Sequence, residues 1–432
     1  MLRALFGLFL ACTALYADDS LRVATVDVAG LAQGENRLER LRAFAELLGK
    51  QTDVVVLQGL FDGGDLRALN ELLEGNELVH TQSYTSGWGG GSGLLIASRY
   101  PLENDGFTSF KWAGKPHKPW HRDYYRSKGV ALLTVDAPLG SFQLGATAWH
   151  PRFSDEEYRW LRIHQALETA SAVGDHGVIA PESARDSGRV PLLVAGSLDC
   201  DPGALPLRLM SEASGADPVR ADMGPGWILT RPGGVWGLRL VRVQALFQNP
   251  TKLAGGASEQ LVDHPGWVAE FRKRPYPNGP PLASTAPFRA TADRLLPLVR
   301  EEVEVTRQEG QRATLAGLGL FLVGGGLYAI GWILGRPRAR KARKRKPRPS
   351  GEGELADSSS GSGQVDSGKR AAARPPRRRG CCLFGCLSLI VVHGALWLIY
   401  QGRVFVPYEL GGLESTVTRL EPPEVIVLDG PR

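Results

Sequence analysis

Side chains that could transfer protons or bind a cation follow several short apolar segments of the chain. They are Asp27, Lys128, His150, Asp199 and the adjacent pair Asp263 and His264. Taken singly, each has an ordinary structural explanation. Asp27 can cap a turn, His150 precedes a proline, and Asp199 leads into a Cys-Asp-Pro-Gly turn sequence. What they share is their position beside strand-like segments, which predicts that the fold brings them together.

The segments around these residues have the patterns of strands and helices. Leu21–Val28 alternates and is rich in Val and Thr, and Asp53–Leu57 is a short apolar run typical of a buried strand. Between them, Asn36 with Glu39 three residues later has the spacing of a capping box and predicts a helix start. Residues 129–147 read as a hairpin that turns at Pro138. A strand–helix–strand succession favours an α/β fold.

Charge is distributed unevenly along the 432 residues. The chain carries a net charge of +6, but Arg336–Gly380 alone holds 15 Lys and Arg against 4 Asp and Glu. The rest of the chain is therefore mildly acidic, and a nucleic-acid-binding globular domain is not indicated. The 5 cysteines offer no pair inside the globular region and no CxxC…CxxC spacing for zinc. A packed core must stabilise that region.

Three apolar stretches predict passage through the secretory pathway and a membrane. The first, with a basic Arg3 and a small residue before Asp18, has the features of a signal peptide. The other two are uncharged and long enough to cross a bilayer core of about 30 Å. The predicted organisation is a signal peptide (1–17), a globular domain (18–290), a stalk (291–312), a transmembrane helix (313–335), a basic disordered loop (336–380), a second transmembrane helix (381–400) and a tail (401–432).

The basic loop predicts the orientation of the chain. A positively charged loop between two spans is expected in the cytoplasm, which places the globular domain in the lumen or outside the cell. The protein is thus expected to be an integral membrane protein of the secretory pathway or cell surface. Cys381, Cys382 and Cys386 lie at the predicted cytoplasmic interface, where S-acylation and simple helix packing are both open interpretations.

Four motifs, in order, resemble the endonuclease/exonuclease/phosphatase superfamily and, within it, the neutral sphingomyelinases. They are the strand ending Thr25-Val26-Asp27-Val28, the strand ending Leu57-Gln58-Gly59-Leu60, the glycine-rich stretch at 91–93 leading to Ser98-Arg99-Tyr100-Pro101, and Ser127-Lys128-Gly129-Val130. The resemblance covers about Leu21 to Arg272. It implies a two-sheet α/β sandwich and, by descent, Mg²⁺-dependent hydrolysis of sphingomyelin or a related phospholipid.

At several positions the chain departs from the family pattern. Gly59 stands where the family has a metal-binding Glu, Ala148 where it has His, and Ser197 where it has Asp. Gln244 likewise replaces an Asp of an Arg-Ile-Asp-Tyr element. Only Val262-Asp263-His264 keeps the core of the closing motif.

The resemblance assigns roles to the residues that remain. Asp27, Asp199 and Asp263 are the predicted ligands of a divalent ion, with one ligand position lost at Gly59. In the catalytic set, Asp263 would orient His264 to activate water, joined by Lys128, Asp199 and His150. Losing one transition-state donor costs on the order of 10²–10³ in rate, so the changes predict weakened or lost catalysis. The alternative is a working Mg²⁺-dependent phosphodiesterase with a re-routed site that uses Asp27, Asp199, Asp263 and His264.

One segment adds aromatic rings and cations to the pattern. Phe110–Arg126 interleaves four Trp and Tyr residues with Lys, His and Arg. Such a composition suits a membrane interface or a sphingomyelin headgroup, and a loop that packs its own aromatic rings is an equally good explanation. A membrane lipid is therefore the expected partner, and nucleic acid is not.

Overall fold

The computed structural model describes residues 20–29, 31, 36–84, 91–112, 114, 126–152, 158–174, 190–220, 225–277, 286–335 and 379–421. The predicted signal peptide, most of the Phe110–Arg126 segment and nearly all of the basic loop lie outside these ranges. Two compact units result, and they are described separately. The globular unit comprises Met1–Arg307 with Phe405–Arg432, and the helical unit comprises Gln308–Val404.

Two six-stranded sheets are present in the described part of the globular unit. The first has the order β11-β14-β1-β2-β4-β3 and the second the order β5-β6-β7-β8-β10-β9. The strands are β1 (Ser20–Asp27), β2 (Val54–Gln58), β3 (His80–Ser83), β4 (Leu95–Ser98), β5 (Leu102–Ser109), β6 (Gly129–Ala137), β7 (Gly140–Ala148), β8 (Leu192–Ser197), β9 (Asp217–Pro218), β10 (Gly226–Arg231), β11 (Trp236–Leu246) and β14 (Gly266–Pro275). A separate short hairpin pairs β12 (Thr251–Lys252) with β13 (Ser258–Glu259).

The helices of the chain flank the sheets and then continue toward the C-terminus. They are α1 (Arg37–Gln51), α2 (Gly63–Glu74), α3 (Arg159–Val173), α4 (Leu205–Ser214), α5 (Ala286–Gly335), α6 (Arg379–Tyr400), a π-helical turn (Gln401–Phe405) and α7 (Val406–Leu420). The predicted two-sheet α/β sandwich is confirmed.

The core explains why the strands have their patterns. Val23 and Val56 of the first sheet and Leu133 and Val194 of the second belong to one fully buried cluster between the sheets. The alternate residues of β1 and β2 pack instead with the apolar face of α1. Because β2 is covered on both sides, all five of its residues are buried, as its unbroken apolar run predicted.

The start of α1 differs from the predicted capping box. Asn36 stands at the N-cap, but its side chain forms no cap hydrogen bond. Its Nδ2 instead donates to Oε1 of Glu259 at 2.6 Å, and Oε2 of Glu39 accepts from the Gly255 N–H at 3.2 Å. The two side chains bind the β12–β13 hairpin, a long-range contact that the local spacing could not reveal.

Helical residues that the sequence analysis assigned to the stalk and the tail pack in the globular unit. In the globular unit, Phe288, Leu295 and Val299 of α5 are buried beside α3, within the residues assigned to the domain end and the stalk. The predicted tail is helical over α7, and Leu413 and Leu420 join the same cluster. The sandwich therefore gains two helical elements that the sequence assigned elsewhere.

Within the helical unit, α5 and α6 contact each other through small residues. Gly317 lies so close to Ala395 and Ile399 that an added Cβ would be 2.7 Å from a side-chain carbon of Ile399. The Ser388 hydroxyl donates to the Gly324 carbonyl at 2.9 Å. Both helices contain a stretch long and apolar enough to span a membrane, judged by length and composition alone. They are therefore candidate membrane spans.

Candidate active site

The carboxyl ends of two pairs of parallel strands line one cleft. β1 runs parallel to β2, with Asp27 opposite Gln58, and β7 runs parallel to β8, with Ala148 opposite Ser197. The cleft has a volume of about 380 Å³. Its lining residues are Asp27, Ala29, Gln58, Gly59, Phe61, Arg126, Lys128, Ala148, Trp149, Pro151, Ser197, Asp199, Pro225, Asp263 and His264.

Five of the six predicted site residues therefore line one cleft, and His150 does not. His150 is fully buried, its ring stacks on Tyr158 at a centroid distance of 4.0 Å, and its Nδ1 lies 2.9 Å from the Pro151 carbonyl oxygen. We accordingly leave His150 out of the catalytic set. Gln244 also lies outside the cleft lining, exposed on β11.

Lys128 is the buried cation of the cleft. Its side chain is almost fully buried, and its Nζ donates to the Trp149 carbonyl at 2.8 Å. That bond fixes the ammonium beside β7, because the Trp149 N–H donates in turn to the Ser197 carbonyl of β8 at 2.9 Å. A cation held in this way offers a ready partner for a phosphoryl oxygen.

Asp27 is the cleft carboxylate whose pKa is raised by its surroundings. Burial raises the pKa of Asp27 above its ordinary value of 3.8, and the nearby Asp199 carboxylate acts in the same direction. The Ala29 N–H, which donates to Oδ1 at 3.0 Å, opposes this shift, as do the charges of Lys128 and His264. A buried carboxyl with a raised pKa beside an imidazole is a combination found in acid–base sites.

Position 59 has no room for a side chain in its present conformation. Gly59 has φ of +89°, a region that L-residues rarely adopt. A Cβ built there would be 2.9 Å from Oδ1 of Asp27 and 3.1 Å from the Ala29 nitrogen. The Asp27 carboxylate thus lies where a side chain from position 59 would begin.

The β8 end supplies one carboxylate and one hydroxyl. Ser197 closes the strand and is mostly buried, and Asp199 follows with φ of +42°. The Leu198 and Asp199 N–H groups both donate to the Pro225 carbonyl, which holds this turn open toward the cleft. An Asp199 carboxylate oxygen accepts from the Arg152 N–H. Opposite Ser197, Ala148 brings no group that can transfer a proton.

Asp263 and His264 precede β14 and are both exposed at the cleft. In the described part of the chain neither side chain has a hydrogen bond or an ion pair, so Asp263 does not orient the His264 ring in this arrangement. The imidazole is accessible to a ligand.

The carboxylates do not assemble into a magnesium site here. Within the described ranges, no three His, Cys, Asp or Glu side chains lie close enough together to hold one ion. Asp27 and Asp199 each direct one oxygen to a backbone N–H, and Gly59 offers no side-chain oxygen. The ion site of Asp27, Asp199 and Asp263 therefore stays a prediction.

The sequence reasoning missed one cation and its partner. Arg126 lies over the ring of Phe61, with 3.6 Å between its Cζ and the ring centroid, and both residues line the cleft. The available signal was the position of Arg126, two residues before Lys128. Arg126 and Lys128 thus give the cleft two cations from one segment.

The comparison with known proteins agrees with this arrangement. The sequence signature of the endonuclease/exonuclease/phosphatase family matches residues 24–316, more than half of the chain. The chain belongs to the endonuclease/exonuclease/phosphatase family. The matched residues include every lining residue of the cleft.

Two curated relatives within this family act on sphingolipids according to their names. An inositol phosphosphingolipids phospholipase C of Schizosaccharomyces pombe is 32% identical over 122 residues, which are 28% of this chain and 28% of that protein. A putative neutral sphingomyelinase of Drosophila melanogaster is 29% identical over 189 residues, 42% of this chain and 40% of that protein. The matches thus span less than half of each relative.

Among the solved structures that match the chain is sphingomyelinase C from Streptomyces griseocarneus. It is 16% identical, with a TM-score of 0.42, and the alignment covers 58% of this chain and 99% of that one.

Proposed function

We propose that this protein is a membrane-anchored, sphingomyelinase-like member of its family whose cleft binds the phosphodiester headgroup of a sphingolipid and hydrolyses it weakly. The observation that carries the proposal is the cleft lining, which includes Lys128, Arg126 and His264, whereas Gly59, Ala148 and Ser197 supply no carboxylate or imidazole. The names of the two curated relatives support a sphingolipid as the substrate class.

The cations of the cleft lining account for binding. The Lys128 ammonium is anchored by the Trp149 carbonyl and brings its positive charge to the cleft lining, where it attracts a phosphoryl oxygen. The Arg126 guanidinium lies over the ring of Phe61, a contact that restricts its position at the cleft. Charge-assisted hydrogen bonds of this kind are about twice as strong as neutral ones. Together they favour an anionic phosphodiester.

Weak turnover is expected from the groups that line the cleft. His264 is the accessible imidazole of the cleft lining and can accept a proton from water, but no described carboxylate orients its ring. Each missing transition-state donor lowers the rate on the order of 10²–10³. Because the members of one catalytic unit act together, the combined loss at Ala148 and Ser197 is not a simple product.

A working phosphodiesterase with a re-routed site is the second candidate. It is favoured by Asp27, whose raised pKa and proximity to His264 and Lys128 suit a general acid. In that case Asp27 would protonate the leaving oxygen while His264 activates water.

The proposed setting is a membrane of the secretory pathway or the cell surface. The two apolar stretches of α5 and α6 support anchoring. Since α7 packs in the same unit as the sandwich, the two ends of the helical unit connect to one globular body. Two spans with a basic segment between them fit a lumenal or extracellular sandwich and a cytoplasmic loop.

Phosphate binding and hydrolysis can be tested on the full-length protein in mixed micelles. We expect inorganic phosphate to bind, and Lys128→Met to weaken that binding by about tenfold or more, as for a lost charged hydrogen bond. Lys252→Met is the matched control, because Lys252 is exposed on β12 and does not line the cleft. Sphingomyelin and inositol phosphosphingolipid turnover should lie several orders of magnitude below that of an intact family enzyme.

The two candidates predict different wild-type rates and different results for Asp27→Asn. A wild-type rate near that of intact enzymes, abolished by His264→Ala and by Asp27→Asn, would replace weak turnover with the re-routed site. Phosphate affinity that is equal in wild type, Lys128→Met and Lys252→Met would refute headgroup binding in this cleft.

A further inference from the structure

The C-terminal helix α7 is packed into the globular unit at α3. Leu413 and Leu420 are buried in one cluster with Ile163 and Leu167 of α3. On the polar side, Nδ1 of His164 lies 3.1 Å from the Thr416 hydroxyl oxygen. Since that hydroxyl donates to the Gly412 carbonyl at 2.9 Å, it accepts the hydrogen bond from His164. The helix is held by apolar and polar contacts together.

The same helix clasps Trp112, at the start of the Phe110–Arg126 segment. The edge of the Trp112 ring meets Tyr408 at a centroid distance of 4.7 Å. At Gly411 the fit leaves no space, because a Cβ there would be 2.5 Å from Cη2 of the indole. At Gly412 an added Cβ would be 3.4 Å away, an ordinary contact. The Trp112 ring therefore packs on α7.

A single buried amide connects Trp112 to the cleft. Nε2 of Gln165 donates to the Trp112 carbonyl at 3.2 Å, and its Oε1 accepts from the His150 N–H at 2.8 Å. His150 lies between the cleft residues Trp149 and Pro151, and the Trp149 carbonyl anchors Lys128. Gln165 is completely buried, so water cannot replace either bond without opening the structure.

A second set of contacts connects Lys111, the residue before Trp112, to α3 and α7. The Glu168 carboxylate accepts from the Lys111 N–H at 3.2 Å, and it lies 3.4 Å from Nε2 of His164 and 3.8 Å from the Arg419 guanidinium. Lys111 and Trp112 are therefore each bonded to α3, and α7 encloses both contacts.

We propose that α7 is a positioning element for the cleft: by clasping Trp112 it holds Gln165, and Gln165 holds the Trp149–Pro151 wall on which Lys128 is anchored. The effect of α7 on headgroup binding rests on the function proposed above, whereas the mechanical link to the cleft wall does not.

Two adjacent glycines provide a matched test in the full-length protein. Gly411→Ala must displace Trp112, whereas Gly412→Ala introduces the same methyl group in the same helix with ordinary contacts. Hydrogen exchange measured by mass spectrometry reports the His150 N–H directly. We expect Gly411→Ala to speed exchange in the peptides containing Trp149 and His150 by about fivefold or more, the scale of one lost buried hydrogen bond, and Gly412→Ala to leave it unchanged.

A third variant separates the two steps of the link. Gln165→Leu should speed exchange at His150 to a similar extent while α7 keeps its wild-type protection. Wild-type exchange in the peptides of β1 and β2 shows that each variant is folded. If Gly411→Ala itself fails to fold, Tyr408→Ala releases the other face of the Trp112 ring and should give the same pattern.

Specific results would overturn the link. Wild-type exchange at His150 in Gly411→Ala, whether or not α7 itself exchanges faster, would show that α7 does not position the wall. Equal effects of Gly411→Ala and Gly412→Ala would do the same. Because exchange is measured without turnover, these outcomes are independent of whether the protein hydrolyses sphingolipids. Where phosphate binds, Gly411→Ala should weaken its binding and Gly412→Ala should not.

Discussion

The fit between Gly59 and Asp27 leads to a quantitative prediction for Gly59→Ala. A non-glycine residue at φ of +89° costs about 1–2 kcal/mol in backbone conformation alone. The new Cβ, at 2.9 Å from Oδ1, must also move the Asp27 carboxylate, which accepts from the Ala29 N–H. Weakening that bond adds about 1 kcal/mol, so the expected total is about 2–3 kcal/mol.

Gly256→Ala is the control that isolates the contact with Asp27. Gly256, between β12 and β13, has the same φ of +89°, but nothing lies within 4 Å of an added Cβ. We therefore expect Gly256→Ala to lower the Tm of the globular unit by about 2–5 °C and Gly59→Ala to lower it by about 5–10 °C. Thermal unfolding of the full-length protein in detergent, followed by Trp fluorescence, measures both.

One outcome would refute this reasoning. If Gly59→Ala is no more destabilising than Gly256→Ala, Asp27 does not occupy the space beside position 59. When Gly59→Ala is combined with Asp27→Asn, the loss of stability that comes from the backbone conformation at position 59 should remain. The Asn has the same size as the Asp and can still accept from the Ala29 N–H. The same geometry means that Gly59→Glu would bring two carboxylates together, and any attempt to rebuild a metal ligand there needs Asp27→Asn as well.

Two further predictions concern charge and topology. Because the pKa of Asp27 is raised in the folded state, its contribution to stability is present below about pH 3.8 and is lost as the pH rises through the folded-state pKa. Asp27→Asn should therefore raise Tm at pH 7, and the difference from wild type should shrink toward pH 4. A lower Tm at pH 7 would show that attraction to Lys128 and His264 outweighs burial. A tag within 350–368 should be accessible on the cytoplasmic side and a C-terminal tag on the lumenal or outer side in protease protection of sealed vesicles; both tags on one side would refute the two-span arrangement.

The sandwich and the cleft were predictable because both depend on regular patterns. Alternation in Leu21–Val28 and the unbroken run in β2 specify which faces are covered, and parallel strands bring their carboxyl ends to one edge. Asp27 and Asp199 therefore line one cleft, and Lys128 reaches it from the amino end of the antiparallel strand β6. The order of strand-end motifs was enough to place them without any knowledge of the loops.

The rest depends on contacts that no local pattern encodes. His150 follows β7 as a catalytic residue would, yet the ring of Tyr158 and the amide of Gln165 hold it inside. The lack of space for a side chain at position 59 could not be predicted from the sequence, because it depends on the Asp27 carboxylate of the neighbouring strand. The spacing of Leu413, Thr416 and Leu420 is amphipathic, but it does not say which helix, some 250 residues earlier, will receive it.

The sequence separation between α3 and α7 also sets the order of folding steps during synthesis on the ribosome. His164 and Thr416 are 252 residues apart, so at about 5–20 residues per second a ribosome needs roughly 10–50 s between making one and making the other. During that interval the sheets can pair while the α3 groove is still open. Its partner arrives only after both apolar helices have left the ribosome. Packing of α7 onto Trp112 is thus a late folding step, which a nascent chain can complete only after α7 has been synthesised.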